Sequence, residues 1–463
     1  MVVGVMLAGC GYGPLPSATP DGSAARPTCT TNSDCMGAEA ICDTSKAGGA
    51  CVQCTAAEKA ACNATTPICD TAADVCTACA QDSECGAGGI CRPDGACAAP
   101  SNIIHAISVG GSADPSTCGG VTGVGLACTL DTALLAARTS ATTAESPPRN
   151  VIKLDDLGPY RSTNPSPNAN FVVDVDVAFG LLLDARSSDI QSHSNGPIIT
   201  VNAEKGVTIL GATIEGAAGD GVGSDGSGHG IQCMTGSVLT IQDTTIKISR
   251  LSAISANSCT VTITHSYIQD NTATTSAPGI TSTNGTLTVS RSRFSNNKGG
   301  AISATTGHFL IVGNAFQSNG DLNGTLAGIS VTSSDAENRL EFNTFFGNKS
   351  GGSSPSAILC NSADLVAKDN IIWGNSTNAS PVGGLCKHAY SIIGTVPISP
   401  TLDGGNNLTS DPELSSDLSV RSDSVAKGKA DPAADLTGLA ALDINGVRRV
   451  APADIGAYVV PAQ

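Results

Sequence analysis

From about residue 150 onward, the chain repeats a short pattern of small, aliphatic and polar residues. Each repeat opens with a small residue followed by isoleucine: Pro197-Ile198, Gly230-Ile231, Ala253-Ile254, Gly279-Ile280, Ala301-Ile302, Gly328-Ile329 and Ala357-Ile358. The isoleucines lie 22 to 33 residues apart, and Gly, Asn and Ser turns separate the short β-rich runs. A repeat of this length predicts a parallel β-helix, whose coils stack at about 4.8 Å.

Two more apolar columns follow the isoleucine column within the repeats. The first consists of runs with alternating apolar positions at 207–209, 239–241, 261–263, 287–289 and 309–311. The second lies five residues beyond these runs, at Ile214, Ile246, Ile268, Phe294 and Phe316, and continues at Phe345 and Ile372. Because alternate side chains of a strand share one face, we expect like residues of successive coils to stack inside the helix.

Asparagine recurs three residues after this last column. The positions are Asn271, Asn297, Asn319, Asn348 and Asn375. We interpret them as an internal ladder whose side-chain amides hydrogen-bond from one coil to the next. This structural role is preferred to ligand binding.

An open solenoid end exposes unpaired strand edges and needs a cap. We assign residues 100–149 to such a cap and residues 150–395 to the β-helix. Within the cap, 102–109 predict a strand and 129–140 predict an amphipathic helix. Leu130, Leu134 and Ala137 share one face of that helix, and Cys118 and Cys128 are expected to close a small loop before it.

Cysteine is abundant and regularly spaced near the N-terminus. The chain has 19 cysteines, an odd number, and 18 of them can pair if Cys10 forms no disulfide. Residues 29–99 hold three groups of four: Cys29, Cys35, Cys42, Cys51; Cys54, Cys62, Cys69, Cys76; and Cys79, Cys85, Cys91, Cys97. Units this small need crosslinks in place of a core, so we expect two disulfides per repeat. The spacing leaves three pairings open for each group.

Two CxxC pairs, Cys51-Cys54 and Cys76-Cys79, raise zinc as an alternative. Each pair joins the end of one repeat to the start of the next, and the third repeat ends without one. An oxidising compartment also favours disulfides over free thiolates. We therefore expect disulfides and no metal.

Four cysteines remain within the predicted solenoid. Cys233 and Cys259 are 26 residues apart, and so are Cys360 and Cys386. This distance is close to one coil, so each pair is expected to join two neighbouring coils.

Composition and charge exclude some classes of protein. Lysine plus arginine number 24 against 40 acidic residues, and the net charge of −16 excludes a protein that tracks nucleic-acid phosphates. A hydrophobic content of 40% argues against disorder. Aromatic residues make up only 3% of the chain, which agrees with an all-β solenoid that buries small aliphatic side chains.

The first ten residues resemble the leader of a bacterial lipoprotein. Residues 1–9 are apolar and too short to span a bilayer, which fits a signal peptide. Leu7-Ala8-Gly9-Cys10 resembles the lipobox, in which the cysteine carries the lipid. No Lys or Arg precedes the apolar run, so we expect the true start codon upstream. Gly11 replaces the aspartate of the inner-membrane retention signal, which implies the outer membrane or cell surface, and residues 10–28 are expected to form a flexible linker.

The whole organisation resembles right-handed parallel β-helix repeat lipoproteins of bacteria. Residues 396–463 resemble the choice-of-anchor Q domain through Asn406-Asn407-Leu408, Asp411-Pro412, Asp443-Ile-Asn-Gly446-Val-Arg-Arg449 and Asp454-Ile-Gly-Ala-Tyr458. That family usually has glutamate after the tyrosine, whereas this chain has Val459. The resemblance implies a surface-displayed β-helix without a defined activity.

One segment could carry catalysis. Gly228-His229-Gly230 resembles the Gly-His-Gly element of polygalacturonases, and Asp220 and Asp225 could supply the two carboxylates that a glycosidase needs. The Asn-Thr-Asp element and the Asp-Asp pair of that family are missing, and its Arg-Ile-Lys is only Thr245-Ile246-Lys247 here. A turn insertion explains the glycines, serines and aspartates without chemistry, so we assign no catalytic residue.

Other candidate chemistry is sparse. The remaining histidines, His105, His193, His265, His308 and His388, are interpreted as isolated turn or surface residues, and Asp174, Asp176 and Asp184 as dispersed. We expect no cofactor.

Two functions compete. The preferred one is non-catalytic: a surface-displayed protein, held at the membrane through lipid on Cys10, with a binding, adhesion or structural role toward glycan, cell-envelope material or another surface protein. The alternative is a polysaccharide hydrolase or lyase.

Overall fold

The computed structural model describes residues 28–461 except 36–38, 47, 59–61, 63–65, 120–126, 143–148, 163–170, 177–179, 192–195, 217–227, 272–276, 325, 352–353, 377–379 and 395–397. The chain divides into two compact units, Met1–Pro100 and Ser101–Gln463. Cys10, Asp220, Asp225 and His193 lie outside the described residues, as does nearly all of the expected linker. Among the residues described, no helix has the length and apolar character needed to cross a membrane.

The first unit is built from three small antiparallel hairpins. Their strands are Ile41–Asp43 with Ala50–Val52, Ile68–Asp70 with Val75–Thr77, and Ile90–Cys91 with Cys97–Ala98. Short 3₁₀ helices at Asn32–Asp34 and Asp82–Cys85 precede the first and third hairpins. Each hairpin therefore corresponds to one four-cysteine repeat.

The hairpins select one of the three pairings that the spacing left open. In every repeat the first cysteine bonds the third and the second bonds the fourth: Cys29–Cys42, Cys35–Cys51, Cys54–Cys69, Cys62–Cys76, Cys79–Cys91 and Cys85–Cys97. The third and fourth cysteines sit opposite each other on the two strands, as Cys42 and Cys51 do. The preceding segment thus folds over both strands of its hairpin and is fixed to each.

The second unit is an all-β, right-handed parallel solenoid of three sheets. Sheet I contains Phe171–Val173, Ile199–Val201, Ile231–Cys233, Ile254–Asn257, Ile280–Thr283, Ile302–Thr305, Ile329–Thr332, Ile358–Cys360 and Val382–Gly384. Sheet II contains Ile103–Ala106, Val151–Leu154, Leu181–Asp184, Val207–Leu210, Val238–Gln242, Thr260–Thr264, Thr286–Ser290, His308–Val312, Arg339–Glu341, Val366–Lys368, Lys387–Ala389 and Asp403–Gly405. Sheet III contains Tyr160–Arg161, Asp189–Gln191, Thr213–Glu215, Thr245–Lys247, Tyr267–Gln269, Arg293–Ser295, Ala315–Gln317, Thr344–Phe346, Ile371–Trp373 and Ile392–Ile393.

The apolar columns of the sequence form the interior of the three sheets. Ile214, Ile246, Ile268, Phe294, Phe316, Phe345 and Ile372 are register partners along sheet III, and all are buried. Phe294, Phe316 and Phe345 stack with ring centroids 5.0 and 4.5 Å apart. The first opening position was wrong by one residue, because Ile199 and not Ile198 pairs with Ile231 in sheet I.

The expected asparagine ladder is present. The Nδ2 of each asparagine donates to the Oδ1 of the next, at 2.7 to 3.0 Å, through Asn271, Asn297, Asn319, Asn348 and Asn375. A second ladder, which the sequence pattern did not reveal, runs through Ser292, Asn314, Asn343, Asn370, Ser391 and Asn407. Both ladders pair buried amides that would otherwise lack partners.

The N-terminal end carries the helix Leu130–Thr142. Leu130, Leu134 and Ala137 are buried against the first strands, including Ile103–Ala106, which is shorter than the 102–109 expected. Thr129 begins the helix by accepting the Thr132 N–H at its hydroxyl. Cys118 and Cys128 form a disulfide in front of this helix.

Two disulfides join neighbouring coils. Cys233 pairs with Cys259 and Cys360 with Cys386, and all four side chains are buried. In each pair the first cysteine ends a strand of sheet I, and the second directly precedes the sheet II strand of the next coil. The bonds therefore fasten the turn between sheets I and II.

The C-terminal residues pack along the outside of the solenoid. We call residues 408–460 the C-terminal layer. Together with outward-facing side chains of the solenoid, at the turns from sheet II to sheet III, this layer forms a second hydrophobic core. The solenoid contributes Val312, Phe342 and Ile371, and the layer contributes Ile444, Ile455 and Tyr458 among others. The layer thus covers one flank of the last coils.

Candidate functional site

The histidine of the candidate catalytic turn is only half-buried and is held through its backbone. Its carbonyl accepts the Ile198 N–H at 3.1 Å, and its Nδ1 is buried without a hydrogen-bond partner. Desolvation lowers the pKa of His229, so the ring is neutral at neutral pH. Lys247 forms an ion pair of 3.2 Å with Glu215 on sheet III. Asp220 and Asp225 lie outside the described residues, so this turn supplies only His229 to the part of the site that can be described.

The aspartates noted as dispersed each have a structural contact. Asp174 pairs with Arg138 of the cap helix, and Asp176 accepts the backbone N–H of Lys205 at 2.9 Å. Asp184 is buried and receives both Nε and Nη2 of Arg186, at 2.7 and 2.6 Å. These contacts order turns on the solenoid.

Three of the histidines interpreted as isolated have a carboxylate partner, and His388 is not a turn or surface residue, whereas His265 does lie in an exposed turn. His105 contacts Asp155 at 2.8 Å, His265 contacts Asp243, and the His308 Nδ1 lies 3.3 Å from Asp335 Oδ2. His388 is completely buried in sheet II. The sequence could not reveal these pairs because each partner lies in another coil.

An open groove of about 750 Å³ lies on one flank of the solenoid. It is formed by the turns between sheets I and II in four successive coils, and we call it the flank groove. Its lining is Thr306, Gly307, His308, Thr332, Ser333, Ser334, Asp335, Asn361, Ser362, Ala363, Asp364, Leu365 and Leu385. Hydroxyl, amide and carboxylate groups dominate, and Leu385 adds an apolar side chain that is 58% exposed. The buried Cys360–Cys386 disulfide ties two of the contributing coils together.

One end of the flank groove concentrates three ionisable side chains. One ring nitrogen of His308 and one carboxylate oxygen each of Asp335 and Glu337 lie within 4.8 Å of one another. The His308 Nδ1 is buried and, although 3.3 Å from Asp335, lacks hydrogen-bond geometry to it. Asp335 and Glu337 are exposed. Asp335 and Glu337 share one turn, whereas His308 begins a strand of the preceding coil, so the sequence gave no indication of the cluster.

A second charged cluster joins the solenoid to the C-terminal layer. Lys368 contacts Asp431 at 2.8 Å, and the Asp431 N–H donates to Asp369 Oδ1 at 2.7 Å. Burial raises the pKa of Asp369 to about 7, and its Oδ2 has no hydrogen-bond partner. Arg449 is buried over the Phe342 ring at 4.6 Å. This cluster holds the layer against the last coils of the solenoid.

The three sheets and the flank groove define a right-handed β-solenoid protein with an open polar groove. Residues 197–379 match the family model described as "Right handed beta helix region". The matched segment contains most of the coils that form the flank groove. No curated protein and no solved structure matches this chain. A fold of this kind is compatible with binding or structural roles and with polysaccharide-acting enzymes.

Proposed function

We propose that this protein binds an extended glycan non-catalytically in the flank groove. The observation that carries the proposal is the lining of the groove, where Thr332, Ser333 and Asn361 offer hydroxyl and amide groups beside the exposed Leu385. A sugar ring presents hydroxyl groups at its edge and an apolar face, so it can use both kinds of contact.

The repetition of the solenoid supports a polymer as the ligand. Coils stack at about 4.8 Å, so the four turns that form the groove present similar groups at regular intervals. A column of small polar side chains also repeats from coil to coil on the outer face of sheet I, including Thr281, Ser303 and Ser330. A linear glycan can follow such a surface over several sugar units.

Binding is tested with the disulfide-intact chain against a panel of plant and microbial polysaccharides, followed by titration calorimetry on any that bind. Asn361→Ala is expected to weaken the affinity about 10-fold, because one or two hydrogen bonds are lost at about 1 kcal/mol each. Gln269→Ala, on the outer face of sheet III, is the matched control and should bind like the wild type. Equal binding by both variants, or no binding by the wild type, would contradict the proposal.

The same panel tests the enzymatic alternative. New reducing ends or unsaturated products that disappear in His229→Ala would replace the binding role with a glycan-degrading one. The neutral His229 ring, two residues after the segment 217–227 that contains Asp220 and Asp225, is the group expected to respond.

The proposal includes attachment to the outer membrane or cell surface through lipid on Cys10, with residues 396–463 acting as a choice-of-anchor Q-like region. Nine disulfides agree with an oxidising location. In a bacterial host that supplies a lipoprotein leader before Leu7, the wild type should partition into detergent and incorporate labelled fatty acid. Cys10→Ser should abolish both, whereas Ser17→Ala should change neither. Incorporation that persists in Cys10→Ser would refute the anchor.

A further inference from the structure

We propose that His308, Asp335 and Glu337 form a binding site for a divalent transition-metal ion at the end of the flank groove. One imidazole nitrogen and two carboxylate oxygens are the donor set that Zn²⁺ and Mn²⁺ accept in proteins. This departs from the sequence-based expectation of no metal.

The distances between the donor atoms suit an ion after a small closure. All three lie within 4.8 Å of one another, and His308 Nδ1 and Asp335 Oδ2 are 3.3 Å apart. Ligands at about 2.0–2.2 Å from one ion are separated by about 3–4 Å. Only the more distant donors must therefore approach, and Glu337 can do so because its side chain is exposed and long.

The loop that carries both carboxylates is held by its own hydrogen bonds. The Asp335 N–H donates to Ser333 Oγ at 3.1 Å, and Asp335 Oδ1 accepts the Glu337 N–H at 2.9 Å. Asp335 Oδ2 is left facing His308. The turn thus places Glu337 next to the His–Asp pair before any ion arrives.

The imidazole supplies an independent indication of a missing partner. His308 Nδ1 is buried and makes no hydrogen bond, which is a costly state for a polar atom. A cation shared with Asp335 and Glu337 would satisfy this atom. His308 and Asp335 also line the flank groove, so solvent from the groove can complete the coordination.

Other histidine–aspartate pairs of this chain provide natural controls. His105 with Asp155 and His265 with Asp243 have the same two side chains on the same solenoid. Within the described part of the chain, only the His308 pair is joined by a third ligand from a carboxylate. The cysteine triplets of the first unit also bring three sulfurs together, but these sulfurs are bonded in disulfides.

The test measures metal binding directly, without glycan. Untagged, disulfide-intact protein is dialysed free of metal and titrated with ZnCl₂ and MnCl₂ by calorimetry, and bound ions are counted by mass spectrometry. We expect one saturable ion per chain. His308→Ala and Glu337→Gln should each weaken its affinity at least 10-fold, whereas His265→Ala should bind like the wild type.

Glu337→Gln keeps the result interpretable, because it changes one exposed side chain and leaves the Asp335 turn intact. Thermal unfolding of each variant checks that the fold is retained. The site is refuted if the wild type takes up no saturable ion, or if His308→Ala or Glu337→Gln binds the ion with wild-type affinity. Glycan binding does not enter this measurement, so the metal site and the proposed function succeed or fail separately.

Discussion

Replacing Arg449 by methionine is expected to lower the free energy of unfolding of the C-terminal layer by about 3–5 kcal/mol, the range found when one partner of a buried charge cluster is removed. Arg449 is 3% exposed. Its Nη2 donates to the Gly456 carbonyl at 2.8 Å, and its guanidinium lies over the Phe342 ring. Methionine keeps much of the packing volume but neither the hydrogen bonds nor the charge.

The charge matters because acidic groups surround this arginine. Asp443 and Asp454 both favour its cationic form, although desolvation is the larger effect and lowers the pKa of Arg449 to about 10. These two aspartates accept backbone N–H groups that close the layer, including those of Val459 and Val460. Without the guanidinium, both carboxylates lose a nearby positive charge, so the loops that they hold are expected to open at lower denaturant concentration.

The chain offers a built-in probe for this prediction. Its one tryptophan, Trp373, is half-buried against the C-terminal layer, so its fluorescence reports release of the layer in a urea titration. Arg448→Met is the matched control, because Arg448 is exposed and adjacent in sequence. Its effect should stay within about 0.5 kcal/mol, as is usual for exposed positions. An unchanged urea midpoint for Arg449→Met would contradict the assigned role.

Replacing His388 by leucine is expected to stabilise the solenoid, and the gain should grow as the pH falls. His388 continues an inward column of sheet II from Leu340 and Ala367, and both of its ring nitrogens are buried without partners. Desolvation lowers the pKa of His388 from 6.5 to about 4. Leucine fits the apolar column and removes two unpaired polar atoms, which should give about 1–2 kcal/mol at neutral pH.

The direction of the pH effect follows from proton binding. Between pH 6.5 and 4 the unfolded chain protonates this histidine while the folded chain does not, so the wild type loses stability as the pH falls. The loss amounts to about 3 kcal/mol over this range, since each pKa unit corresponds to about 1.4 kcal/mol. The advantage of the leucine variant should therefore rise by about 3 kcal/mol between pH 7 and pH 4.

Urea titrations followed by circular dichroism at several pH values measure this difference. Subtracting the wild type from the variant at each pH removes the contribution of the other titrating groups. His388→Gln separates the two effects, because it abolishes the titration without adding apolar packing. It should show the same pH-dependent gain but no stabilisation at pH 7. A difference between wild type and leucine variant that is constant with pH would contradict the assignment of a buried neutral histidine.

Sequence reasoning worked best where one feature recurs in every coil. The column through Ile246, Ile268 and Phe294 and the ladder through Asn297 and Asn319 were both predicted at the correct positions. Each coil repeats the same environment, so several independent copies of the pattern support one assignment. The cap helix was predicted for the same kind of reason, because its buried face follows the period of an α-helix.

Sequence reasoning failed for contacts between residues of different coils that no repeated pattern marks. The coils differ in length, so the spacing of His308 and Asp335 did not indicate that they lie side by side. His388 is buried in a column that aliphatic residues otherwise fill, and its sequence neighbours did not indicate this. The shift from Ile198 to Ile199 arose because two isoleucines are adjacent and the pattern selected the one that follows Pro197. In the same way, cysteine spacing predicted how many disulfides each repeat holds but not which cysteines they join.

The sequence by itself determined that this protein is a parallel β-solenoid preceded by disulfide-rich repeats. Each coil buries similar residues at similar positions, so those residues recur along the sequence at intervals of about one coil, and the cysteines recur in the same way. Only the tertiary structure decided where the flank groove opens, which cysteines pair, and that residues 408–460 cover the outside of the last coils. Those features depend on distances between residues that are far apart in sequence, and these distances are set by how turns of different length stack.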